Sequence, residues 1–301
     1  MKKYICILLL SLIGFIVVGC SDSGDQETQE KQETEQKNME GTDNEVEGKE
    51  GEQENTELDP DDSTVQQDQE ETQSTTNPEE VIPQYELDKN SNIVPITEEA
   101  NEKVVLLTID DAPDKQALQM AQTLKELDAP AIFFVNGHFL DTDEEKKILQ
   151  QIHDMGFAIG NHTYNHQRLS QVSEEKQKEE IVSLSNLAEE IIGERPKFFR
   201  APNGDNTEFS EQFVKEQGML QMNWTYGYDY FEPYMDADKL AEAMITGEGP
   251  EVDVPYSLLK PGANLLMHDR PWTAEALDDI VKGLREKGYE MVDPALIKLP
   301  E

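Results

Sequence analysis

From residue 103 onward the chain alternates two textures. Short continuous apolar runs of strand length are separated by longer segments with helical spacing. Lys103 to Ile109, Ala131 to Val135, Phe157 to Gly160, Pro196 to Phe199, Met219 to Trp224, Ala263 to Met267 and Tyr289 to Val292 read as strands. Between them, Lys115 to Leu127, Thr142 to Met155, Ser173 to Ile192, Thr207 to Gln217, Asp238 to Thr246 and Thr273 to Lys287 carry apolar residues at three- and four-residue spacing. Thr142 followed by Glu145 is a capping-box pattern, and Gly193 and Gly288 fall where helices stop. Strands that are runs rather than alternations are buried on both faces, and the helices between them act as crossovers. The spacing therefore predicts an α/β fold, a distorted (β/α) barrel of about seven parallel strands. An open doubly wound sheet is the alternative. No dinucleotide glycine motif, phosphate loop or internal repeat is present.

The residues before about 95 do not share that texture. The whole chain carries 64 acids against 25 bases, a formal charge of -39, and only 36% hydrophobic residues. Residues 21–100 hold 26 of the acids and four lysines, and residues 101–301 hold 38 acids and 19 bases. Between Ser21 and Glu80 there is no aromatic residue, Ile or Ala. Such a segment buries too little surface to offset its chain entropy and is expected to be disordered. The acidic balance argues against a nucleic-acid partner, which calls for a basic footprint. Two cysteines, Cys6 and Cys20, make no disulfide framework.

Lys2-Lys3 followed by the apolar run Tyr4 to Val18 has the form of a targeting signal, short for a membrane span. Val17-Val18-Gly19-Cys20 resembles a bacterial lipobox, which implies a lipidated Cys20 as mature N-terminus. The expected organisation is a signal peptide over 1–19, a disordered acidic tether over 20–95 and a folded domain over 96–301. The expected location is the outer face of the cytoplasmic membrane, lipid-anchored and facing the wall.

Chemistry in parallel α/β folds gathers at the C-terminal ends of the strands. Here those ends read Thr108-Ile109-Asp110-Asp111-Ala112-Pro113, Asn161-His162-Thr163-Tyr164-Asn165-His166, Arg200-Ala201-Pro202-Asn203-Gly204, Trp224 through Tyr230, and Leu266-Met267-His268-Asp269. His162 and His166 at i, i+4 would share one face of a helical turn. With one carboxylate they form a two-His, one-carboxylate set with open positions for water and substrate. Two adjacent ionised aspartates repel unless each has its own partner. Asp111 as metal ligand and Asp110 as base, paired with Arg200, resolves this, and His268 is the natural acid. His138 and His153 belong to no such cluster.

These motifs, in this order, resemble the polysaccharide deacetylase (NodB-like) family of carbohydrate esterases. The resemblance covers about 200 residues, from Lys103 on. It implies metal ligation by Asp111, His162 and His166, with zinc the usual ion and cobalt, manganese or nickel as alternatives. It implies Asp110 as general base held by Arg200, His268 as general acid, Leu266 in the acetyl-methyl pocket and the Asn203 backbone N–H as oxyanion donor. The family's fourth motif is altered to Gly227-Tyr228-Asp229-Tyr230, so the carboxylate that tunes the acidic histidine is Asp229 or Asp269. Tyr228 and Trp224 are expected against sugar faces. The expected activity is metal-dependent removal of N-acetyl groups from an extracellular N-acetylhexosamine polymer by a monomer. An O-acetyl polysaccharide esterase and a non-catalytic glycan-binding lipoprotein are the alternatives.

Overall fold

The computed structural model describes residues 81–301. The signal, lipobox and most of the acidic tether lie outside the described residues. The centre of the sheet is β3 (Val104–Ala112), in which every residue but Asp111 is buried. On one side follow β4 (Ala131–Val135), β5 (Ala158–Asn161), β6 (Phe198–Phe199) and β7 (Leu220–Gln221). On the other side of β3 lie β8 (Ala263–His268) and β9 (Glu290–Met291). All seven strands are parallel. Beyond β7 the chain crosses to β8: Thr225 N–H donates to Asn264 O at 2.7 Å, and Leu266 N–H to Tyr226 O at 2.8 Å. This parallel pairing of Tyr226 with Leu265 closes the sheet into the distorted barrel the strand pattern predicts.

Register decides what meets at the rim. Asp110 lies opposite His268, and Asn161 opposite Phe199, so His162 and Arg200 leave their strands side by side. The helices α1 (Ala117–Glu126), α2 (Asp143–Asp154), α3 (Glu174–Ile192), α4 (Glu208–Glu216), α5 (Ala237–Thr246) and α6 (Pro271–Glu286) supply the crossovers. Their ends follow the local chemistry. Thr142 and Glu145 form the reciprocal box, and Ser173, Thr207 and Asp236 cap α3, α4 and α5. Gly193 and Gly247 end α3 and α5 in the left-handed conformation. The core between helices and sheet is built from residues such as Leu107, Ile109, Phe133, Leu184, Leu277 and Ile280. Each fully buried side chain of this kind contributes about 1.5–3 kcal/mol.

The structure departs from the sequence reading in two respects. The expected strands over 196–199, 219–224 and 289–292 are pairs of residues only. β6 is bracketed by Pro196 and Pro202, which have no N–H to continue a ladder. The folded domain also begins before residue 96. β1 (Tyr85–Leu87) and β2 (Ile93–Pro95) form an antiparallel hairpin, with Tyr85 and Ile93 buried in a second core cluster. Ile93 N–H donates to Gly262 O at 2.8 Å, and Ser91 and Asn92 side chains bond Asn223 and Thr225. Strands of three residues among acids carry too little pattern to be seen as such, and their burial against the barrel decides them.

Candidate active site

The C-terminal rim of the barrel holds a cleft of about 500 Å³. Asp110 and Asp111 at the end of β3, His162 just past β5, His166 in the following loop and His268 at the end of β8 all line it. Among the described residues, Asp111, His162 and His166 are the one set of three metal-ligating side chains with donor atoms within 4.8 Å of one another. The two histidines do not share a helical turn. His162–His166 is an irregular loop in which Thr163 and His166 take φ of 67° and 54°. Asp111 and Asn203 also sit at positive φ, near 60° and 58°. Non-glycine residues held there cost free energy, so the surrounding packing maintains them, as at functional sites generally.

The loop is held from behind by α3. The Glu180 carboxylate accepts from Asn165 N–H at 2.6 Å and from the Asn165 amide at 2.8 Å, with Lys176 at 3.2 Å. His162 Nδ1–H donates to Arg200 O at 2.8 Å, which fixes the tautomer and leaves Nε2 free as a ligand. His166 Nε2 is 3.4 Å and His162 Nε2 3.8 Å from Asp111 Oδ1. Donors about 2.0–2.1 Å from a tetrahedral ion lie roughly 3.4 Å apart, so the three residues fit a metal of that kind. Arg270 Nη2 holds the other Asp111 oxygen at 2.6 Å. Burial opposes ionisation of Asp111, but attraction to the neighbouring His162, His268, His166 and Arg270 outweighs it and holds the carboxyl below its usual range. Burial and His162 push His166 down, towards the neutral form that ligates.

Asp110 is paired as the sequence reading requires. Arg200, fully buried, donates from Nη1 to Asp110 Oδ1 at 2.6 Å and to Thr108 Oγ1 at 2.8 Å. Its other edge bonds Asn223 O at 3.0 Å, and its plane lies over the Phe134 ring. The second Asp110 oxygen is 3.5 Å from His162 Nε2, beside the triad.

Of the two carboxylates open to His268, Asp229 is its partner. Asp229 Oδ1 accepts from His268 Nδ1–H at 2.7 Å, and Oδ2 from the His268 N–H at 2.5 Å and Thr273 Oγ1 at 2.8 Å. Burial alone would lower His268, but Asp229, its hydrogen bond, Asp110 and Asp111 push it up to about 9. Asp269 is engaged elsewhere. It accepts four backbone N–H groups, from Asp114 to Ala117, and pins the start of α1 behind the Asp110-Asp111 turn. Gly227 is what lets Asp229 arrive. A Cβ there would stand 2.4 Å from Leu266 O, so a side chain would push the segment off β8.

Asn203, Trp224 and Leu266 line the cleft. Tyr228 does not. It is buried among Tyr226 and Tyr234 and donates its hydroxyl to Gly247 O at 2.7 Å. The barrel-closing segment turns Tyr226 and Tyr228 inward, and only past Asp229 does Tyr230 reach the cleft, edge-on to His268 at 5.7 Å. Arg168, Met235, Arg270 and Trp272 also line it and were not singled out by sequence. Trp272 and Arg270 follow the His268-Asp269 pair directly, which was the available signal. Arg168 follows His166 by two residues.

A family model described as Polysaccharide deacetylase matches residues 97–222. A peptidoglycan-N-acetylglucosamine deacetylase of Bacillus cereus is 30% identical over 197 residues, 62% of this chain and 68% of the relative. A peptidoglycan-N-acetylmuramic acid deacetylase of Bacillus subtilis is 29% identical over 65% of this chain and 39% of its own length. Among solved structures, a CE4 family pseudoenzyme from Bacillus anthracis superposes with a TM-score of 0.56 at 26% identity, covering 64% of both chains. With the five ordered motifs gathered on one barrel rim, these matches make the chain a member of the polysaccharide deacetylase family.

Proposed function

We propose that the chain hydrolyses N-acetyl groups from an extracellular N-acetylhexosamine polymer, with peptidoglycan the leading substrate. The observation that carries this is a paired base and a paired acid at one cleft with a two-His, one-carboxylate set. Asp110 is held by Arg200 and His268 by Asp229, both around Asp111, His162 and His166. A divalent metal on that set, zinc foremost, supplies a Lewis acid and lowers the pKa of water bound to it towards about 7.

The side chains account for the rest. Asp110, oriented by Arg200, removes a proton from the attacking water as the new C–O bond forms. The Asn203 N–H serves as donor to the developing oxyanion. Asp229 fixes the His268 tautomer, so its Nε2–H delivers a proton to the departing nitrogen as the C–N bond breaks. The products are acetate and a free amino sugar. Leu266 and Trp224 form walls against the acetyl methyl and sugar face. A non-catalytic reading drew on the altered fourth motif, and the contact of Asp229 with His268 speaks against it.

The N-terminal signal and Cys20 support a lipid-anchored protein at the outer face of the membrane. Acetate release from N-acetylglucosamine oligomers, with and without chelator, tests the activity. No acetate from any N- or O-acetylated glycan by metal-loaded protein would overturn it, and release from esters alone would favour an O-acetyl esterase. Radiolabelled fatty acid incorporation that is lost in Cys20→Ala tests the anchor.

A further inference from the structure

The cleft has a charge pattern the domain as a whole does not. Among the described residues three carboxylates line it, Asp110, Asp111 and Asp229, and each already has a cation: Arg200 at 2.6 Å, Arg270 at 2.6 Å and His268 at 2.7 Å. A fourth cation, Arg168, lines the same cleft and has no carboxylate within 4.0 Å among the described residues. Among the 38 acids and 19 bases of residues 101–301, an arginine left without a partner is notable for its position. The nearby carboxylate of Asp205 is turned instead to the N–H and hydroxyl of Ser170, at 3.1 and 2.7 Å.

Arg168 is also tethered. Its Nη2 donates to Asn203 Oδ1 at 3.3 Å, tying the guanidinium to the loop after β6, while the side chain stays exposed. That leaves most of its five N–H donors unused. A single planar fork matches the two oxygens of one carboxylate. Among the described residues, no second unpaired arginine or lysine lines the cleft to meet a dianionic phosphate.

We propose that Arg168 is a specificity-determining residue that binds a carboxylate on the substrate, so the preferred substrate is an acidic N-acetylated glycan rather than a neutral one. This rests on the deacetylase reading of the same site. The domain's net negative charge does not oppose it at contact range. Bulk charge acts across solvent and is screened over about 8–10 Å, whereas the guanidinium acts within hydrogen-bond distance. The carboxylate has two sources in such a polymer: an acidic ether on the reacting sugar, as in muramic acid, or an attached peptide.

The test compares kcat/KM of the metal-loaded protein on three substrates: N-acetylglucosamine oligomers, peptide-free glycan strands containing N-acetylmuramic acid, and the same strands with peptide. Preference for the acidic strands by roughly tenfold or more is expected. In Arg168→Gln that ratio collapses, chiefly through KM, and Arg168→Lys restores part of it. Preference already present without peptide assigns the carboxylate to the sugar; preference only with peptide assigns it to the peptide. Equal kcat/KM on neutral and acidic substrates, or an unchanged ratio in Arg168→Gln, overturns this inference alone. Acetate from none of the substrates overturns the deacetylase reading and this inference with it.

Discussion

Asp110 and Asp111 are neighbours in sequence with opposite surroundings. Asp111 faces two imidazoles, and Asp110 faces a buried guanidinium. The two roles therefore separate experimentally. Asp110→Asn is expected to retain metal, measured by elemental analysis, and to lose turnover by about 10²–10⁴-fold. Loss of metal in that variant would exchange the two assignments. His268 gives a pH signature. It must be protonated to donate, and Asp229 with its neighbours raises it to about 9, so activity persists at neutral pH and falls as pH rises towards that value. A bound cation works in the opposite direction and draws the basic limb below it. Asp229→Asn removes the main stabiliser of the imidazolium, so the basic limb of kcat against pH is expected to move down by about one unit or more. An unmoved limb would assign it to another group.

The elements show why some of this could be seen in the sequence and some not. Asp110, Asp111, His162, His166, Arg200 and His268 were legible because each stands at the end of an apolar run, and parallel strands bring those ends to one rim. Tyr228 and Tyr230 were not separable. Which tyrosine faces the core depends on where the barrel-closing segment ends, and its pairing with β8 is an isolated bridge. Glu180 carries no sequence signal, since a glutamate in a helix rich in glutamates looks like solvated surface. The structure buries it against the histidine loop. Glu180→Ala is expected to weaken metal affinity about 10–100-fold, as losses behind a ligand do, and to lower stability by about 1–3 kcal/mol. Metal titration and thermal unfolding of the metal-free protein measure the two separately. Unaltered affinity with lowered stability would make Glu180 purely structural.

For the whole molecule, the hairpin β1–β2 is the part that motif reading leaves out. A chain beginning at residue 96 would keep every motif. It would lose the buried Tyr85 and Ile93 and the hydrogen bonds from the hairpin to the closing segment at Asn223 and Thr225. Two such side chains contribute about 3–6 kcal/mol together, a large part of a domain's net stability. The chain from 96 is expected to unfold at much lower denaturant than the chain from 81, with acetate release lost in parallel. Equal midpoints would show that the hairpin is dispensable.

The pairing of β3 with β8 also dictates an order of events during synthesis. Thr108 and Leu265, bonded at 2.7 Å, are 157 residues apart. A growing chain therefore presents Asp111, His162 and His166 long before His268 exists. Until then the flank of β3 that takes β8 and β9 is an unpaired, largely apolar strand edge, prone to take a foreign strand. Contacts of such range form late and slowly. The last forty residues, which carry β8, β9 and His268, therefore complete the sheet and the acid side of the cleft together.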